Sequence, residues 1–134
     1  MWPADVLVSP VIPYPRFTDL GPGQLADLYL TVRQIAAPLV KHFNATSLTI
    51  SIQDGKDAGQ SVPSTTCPCV TPIRFLILQH VHVHVLPRKP NDFPRNDDIY
   101  QALQEHDQLP NRVYRTEEAM AAEAAEFRTL FYKN

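Results

Sequence analysis

Three histidines at alternate positions, His80, His82 and His84, with valines between them, are the residues of this sequence best placed to do chemistry. Alternate residues of an extended strand share one face, about 6.5–7 Å apart. Three of the chain's five histidines therefore line one side of a strand expected over His80–Leu86, while Val81, Val83 and Val85 turn to a core. A neutral imidazole keeps one nitrogen lone pair. If a backbone carbonyl accepts a hydrogen bond from one ring nitrogen, the other is oriented for nucleophilic attack. Flanking imidazoles can then hydrogen-bond phosphate oxygens and a leaving group. The same alternation could instead hold zinc, but such a site normally takes further ligands and carboxylate partners, and no His-plus-acid cluster elsewhere stands out. A third reading is an exposed strand face that merely tolerates histidine.

The elements that must position these residues follow from hydrophobic periodicity. Leu25, Leu28, Tyr29, Val32, Ile35, Ala36, Leu39, Val40 and Phe43 recur at helical spacing, which predicts an amphipathic helix over Gly23–Phe43, bent at Pro38. Ser47–Gln53 alternates: Leu48, Ile50 and Ile52 on one face, Ser47, Thr49, Ser51 and Gln53 on the other. That is a half-buried strand with a polar face open to a ligand, ended by Asp54-Gly55. Val6-Leu7-Val8 reads as a short strand, and Pro63–Gln79 as a loop with a short strand or buried piece at Ile73–Leu78. Pro87–Asn96 reads as a charged, proline-rich loop in which Arg88 and Lys89 are solvated. Asp97–His106 is expected to be a helix in which Tyr100 packs its ring on the core. Glu117–Phe131 is an alanine-rich helix capped by Thr116, with a stripe of Met120, Ala124, Phe127, Leu130 and Phe131.

Composition bounds the function classes. The chain has 134 residues, 44% hydrophobic and 19% charged, which fits one domain over 1–134. A formal charge of −2 gives no basic excess for nucleic-acid backbone binding. No apolar run is long enough to span a bilayer and the start does not read as a signal peptide, so no membrane partner and a cytoplasmic or nuclear location are expected. Cys67 and Cys69 read as two free thiols.

The segment His80–Leu86 has the pattern of the histidine-triad motif, and its surroundings resemble one branch of that superfamily. Thr46-Ser47-Leu48-Thr49, Gln53-Asp54-Gly55, Ala58-Gly59-Gln60, the run His80 to Lys89, Asp92-Phe93, Arg95-Asn96-Asp97, Ile99-Tyr100 and Met120-Ala121-Ala122-Glu123-Ala124-Ala125 are similar to the fragile-histidine-triad branch. The similarity runs from about Asp5 to Phe131, apart from one insertion. It implies an α+β histidine-triad fold: an antiparallel sheet with a long amphipathic helix and a C-terminal helix, forming a two-fold homodimer. It also implies a dinucleoside polyphosphate hydrolase, cleaving diadenosine triphosphate to AMP and ADP through a covalent AMP–histidine intermediate. On this chain His82 is then the nucleophile, His84 contacts the scissile phosphate and aids the leaving group, and His80 supports the network. Gln53, Gly59, Gln60, Ser61 and Val62 are the implied substrate-binding residues, together with His84. Mg2+ or Mn2+ would arrive with the substrate, with no protein-bound cofactor or metal site.

Two departures accompany the resemblance. Relatives usually carry more residues before Val6, so first strands and part of the nucleoside pocket are expected to be missing, and Asp5 stands where a histidine is usual. Residues 63–79 form an insertion between the phosphate loop and the triad, where relatives have a short connection. Both are read as a variant transcript or an imperfect gene model. The alternative function is a catalytically weak or inactive nucleotide-binding or signalling variant.

Overall fold

The apolar run Val6–Val8, the alternating Ser47–Ile52 and the valine-rich Val83–Arg88 form three strands, β1, β2 and β3, joined in an antiparallel sheet of order β1-β3-β2. The computed structural model describes residues 5–60, 80–108 and 116–132. Ser61, Val62, the inserted segment 63–79 and both cysteines lie outside them. In the central strand, Val83 pairs with Val8 on one side and Ile52 on the other, and His84 pairs with Leu7 and Ser51.

The triad strand begins later and ends later than its sequence predicts. Both neighbours start pairing at Val83, so His80–His82 precede the ladder, and Val81 instead donates its N–H to the Tyr14 carbonyl at 2.8 Å. At the far end β3 continues through Pro87 to Arg88, residues expected in a loop. Pro87 lies past Val85, the last residue paired with β1, so only one neighbour strand remains beside it.

Helix α1, Pro22–His42, starts with proline at its first position after Gly21, where the missing N–H would be unpaired anyway. It continues through Pro38 to His42, because Ile35 and Leu39 on either side are buried in the core and offset the lost hydrogen bond. Leu28, Val32, Ile35 and Leu39 pack with Val8, Val81, Val83 and Val85, which is the valine side of the triad segment turned to the core as expected. Leu48 and Ile52 join this core, whereas Ile50 is 47% exposed on the edge strand β2, contrary to its place in the pattern. Helix α3, Glu117–Phe131, begins at Thr116, whose hydroxyl accepts from the Ala119 N–H at 3.2 Å. Phe127 and Phe131 reach the core, but Met120, at the end away from it, is exposed.

Helix α2, Asp98–Gln108, covers the opposite face of the sheet. There Leu86 packs with Ile99 and Leu103, with Phe93 beside them. Leu86 shares its face with His84, and α2 packs on that side of β3 at Leu86.

Candidate active site

His82 and His84 are 3% and 0% exposed, and their rings meet edge to face with centroids 4.8 Å apart. The reading of a solvated histidine face is overturned, because both rings are buried. His82 Nδ1 lies 3.0 Å from the His80 carbonyl oxygen. A carbonyl can only accept, so Nδ1 donates and the neutral ring carries its lone pair on Nε2. His84 Nδ1 lies 2.9 Å from Asp5 Oδ2, with the imidazole fully buried. Among the described residues no three His, Cys, Asp or Glu side chains stand together as a metal-holding group.

The polar face of β2 extends this site. Ser51 is the ladder partner of His84, and Gln53, two residues on, points to the same side. Between these residues and α2 lies a cleft of about 400 Å³ lined by Ser51, Ile52, Gln53, Ala58, Tyr100, Gln101, Leu103 and Gln104. Tyr100, expected on the core, is 55% exposed and lines this cleft. Five polar atoms around the triad are buried without a hydrogen-bond partner among the described residues: Ser51 Oγ, Gln53 Oε1, His80 Nδ1, His84 Nε2 and Asp5 Oδ1. Buried polar groups in folded proteins are seldom left unpaired, and each costs about 1–3 kcal/mol. Such a concentration suits a polar ligand.

The expected phosphate loop is a tight one. Gly55 and Gly59 both have positive φ, 98° and 90°, on either side of a 3-10 turn at Lys56–Ala58. A Cβ on Gly59 would lie 2.9 Å from Gln53 Nε2, so the glycine lets the loop close onto the glutamine. Gln60 is 2% exposed: its Oε1 accepts from Gly55 N–H at 2.6 Å and its Nε2 donates to the Pro15 carbonyl at 3.2 Å. Its backbone N–H also stays inside the loop, donated to Gly55. The Asp54 carboxylate accepts from Phe17 N–H at 2.9 Å and from Arg16 Nε at 3.1 Å. The Phe17 amide above all, with the Arg16 guanidinium, holds the Asp54 carboxyl below the usual carboxylate range.

Arg88, read from sequence as a solvated cation, is instead 7% exposed. Its Nε and Nη2 donate to the two carboxylate oxygens of Asp92 at 2.6 and 2.9 Å, Nη1 donates to Thr49 Oγ1 at 3.0 Å, and the guanidinium sits 5.0 Å from the Phe93 ring centre. Hydrogen bonding from Arg88 lowers the Asp92 carboxyl to about 2.

Sequence reasoning singled out the triad, Gln53 and Gly59, and the structure brings Gln53 and Gly59 into contact. It did not single out Ser51 as part of the site, though the β2 alternation already put it on the polar face. Nothing in the local sequence pointed to the pairing of Asp5 with His84, 79 residues away.

Comparison with known proteins gives the same picture. A family model described as the HIT domain matches residues 1–65. The chain is 42% identical over 137 residues to the bifunctional bis(5'-adenosyl)-triphosphatase/adenylylsulfatase of Arabidopsis thaliana, covering 96% of this chain and 67% of that protein. It is 37% identical over 132 residues to the bis(5'-adenosyl)-triphosphatase of Dictyostelium discoideum, covering 98% of this chain and 74% of that one. The crystal structure of the Caenorhabditis elegans NitFhit protein superposes with a TM-score of 0.61 at 37% identity, over 94% of this chain but only 22% of that one.

Proposed function

Because the chain belongs to the histidine-triad family, in its fragile-histidine-triad branch, we propose that it is a dinucleoside polyphosphate hydrolase, cleaving diadenosine triphosphate to AMP and ADP. His82 Nε2 forms a bond to the α-phosphorus while the bridging P–O bond breaks and its electron pair leaves with ADP. Water then adds to the same phosphorus, the P–N bond breaks, and AMP leaves as the ring recovers its lone pair and the water's proton passes to solvent.

The observation that supports this reading is the His82 Nδ1 to His80 carbonyl hydrogen bond at 3.0 Å, which puts the lone pair on the nitrogen that must attack. His84 faces the scissile phosphate in this scheme and His80 supplies the carbonyl. Gln53 and Gly59, with Ser61 and Val62, bind the phosphate chain, and Gln60 shapes their loop from within. A Mg2+ or Mn2+ ion belonging to the substrate neutralises part of the phosphate charge. A homodimer, in the cytoplasm or nucleus, completes the proposal; the outer strands β1 and β2 offer edges that a partner would cover. No described helix is long and apolar enough to cross a membrane.

The burial of His82 and His84 favours a second reading, nucleotide binding with little turnover. Incubation of the chain and its His82→Ala variant with diadenosine triphosphate and Mg2+, with AMP followed by chromatography, separates the two. Hydrolysis by the parent chain, reduced at least ~10³-fold by the substitution, is the expected result. Binding of the nucleotide by a folded parent chain that releases no AMP would select the second reading.

A further inference from the structure

The two buried histidines are held by different acceptors. His82 leans on a neutral carbonyl, whereas His84 leans on a carboxylate. We infer that Asp5 is a positioning residue that fixes the proton of His84 on Nδ1 and aims its Nε2 at the substrate. The inference rests on the hydrolase reading for its kinetic consequence, although the proton's position can be read without turnover.

The register explains how the two residues meet. Leu7 is the ladder partner of His84, and Asp5 stands two residues earlier, on the same face of the extended chain. It is therefore a diagonal neighbour of His84, within reach of a side chain across the sheet. The contact is 2.9 Å, the imidazole is fully buried and the Asp5 side chain is 18% exposed. A carboxylate in its ionised form only accepts hydrogen bonds, so Nδ1 must donate. The opposite tautomer would turn a lone pair toward a negative oxygen in a site with little water to screen it.

Two further atoms show what this orientation serves. His84 Nε2 and the Oγ of its ladder partner Ser51 are both buried without a hydrogen-bond partner among the described residues. With Nδ1 committed to Asp5, Nε2 is the position at which His84 accepts, carries or donates a proton toward a ligand. The Ser51 hydroxyl, able to donate or accept, sits across the ladder as a second contact. With Nδ1 held by Asp5, an Nε2 that has taken up a proton would donate to a phosphate oxygen or to the oxygen of a departing nucleotide, beside the Ser51 hydroxyl. Asp5 itself touches no substrate in this scheme.

The test combines nuclear magnetic resonance of the histidine rings with kinetics, using the full chain and Asp5→Asn. Asparagine keeps the shape but can present either an N–H or an oxygen to Nδ1, so it no longer dictates the tautomer. Nitrogen-15 spectra of the parent chain should place the His84 proton on Nδ1, and Asp5→Asn should admit the Nε2-protonated form. Loss of the carboxylate that orients a metal-bound histidine costs about 10–100-fold; by the same logic kcat for diadenosine triphosphate should fall at least about 10-fold while KM stays within about threefold, because Asp5 makes no ground-state contact. A parent-chain proton on Nε2 would overturn the inference, as would spectra and kcat unchanged by the substitution. If the parent chain hydrolyses nothing, the hydrolase reading fails on its own, and the ring spectra still decide the role of Asp5.

Discussion

The two ends of the triad segment, His80–His84 and Pro87–Asp92, are built on opposite terms. Around Arg88 each of three guanidinium nitrogens has an acceptor, and Asp92 is bound by both the side chain of Arg88 and the backbone N–H of Lys89. Around His84, polar atoms of Asp5, Ser51, Gln53 and His80 are buried without one among the described residues. Both ends are buried and both are polar. Burial of a polar group therefore does not by itself distinguish support from chemistry; the state of its hydrogen bonds does. The Arg88 end is a closed network that stabilises the strand, while the histidine end withholds bonds that a ligand can make.

This contrast can be broken most directly at the closed end. Arg88→Met, which keeps the aliphatic bulk but strands the Asp92 carboxylate, should lower stability in urea by about 2–4 kcal/mol. The kcat of the remaining folded protein should stay within about twofold. A large loss of kcat would show that Arg88 belongs to the chemistry after all. Asp92→Asn sharpens the same point through pH. The Asp92 carboxyl is depressed from 3.8 to about 2 in the folded chain, so its contribution is fully present above about pH 4 and is lost as pH falls through about 2. Allowing for residual solvent contact, the variant should be about 1–2 kcal/mol less stable at pH 7, and that gap should narrow steadily below pH 4. A gap that stays constant on acidification would mean that the pair is not ionic.

At the open end, Gly59→Ala is the smaller perturbation. A φ of 90° strains any side chain, and the new Cβ would push aside Gln53 Nε2. A loss of about 1–2 kcal/mol is expected from the backbone alone. Displacing Gln53 should also raise KM for diadenosine triphosphate several-fold with little change in kcat, measured by initial rates. An unchanged KM would remove Gln53 from the binding face.

Much of this was legible in the sequence because it depends on short-range periodicity. The valines of the triad segment, the Leu28, Val32, Ile35 and Leu39 stripe of α1, the Thr116 cap and the polar face of β2 are set by residues two to four apart, and the structure has each of them, although Tyr29, expected in that stripe, is exposed. What periodicity does not carry is which element lies over which. The helix near Asp97 was predictable, yet nothing local says that Ile99 and Leu103 settle on Leu86. The strand's late start likewise depends on where β1 and β2 begin to pair, and Ile50 is exposed because β2 lies at the sheet's edge. Arg88 and Asp92 stood four residues apart in a segment read as loop; only the extension of β3 through Pro87 turns that spacing into a buried pair.

The stretch Tyr14–Phe17 touches both halves of the candidate site. Tyr14 holds the Val81 peptide between two triad histidines, Pro15 holds Gln60, and Arg16 and Phe17 hold Asp54. Two segments that are neighbours in chemistry but not in sequence are thus measured from one common reference. Both are tied by hydrogen bonds to this third segment. A shift of a single residue at Tyr14–Phe17 would move the phosphate loop and the nucleophile's supporting carbonyl together.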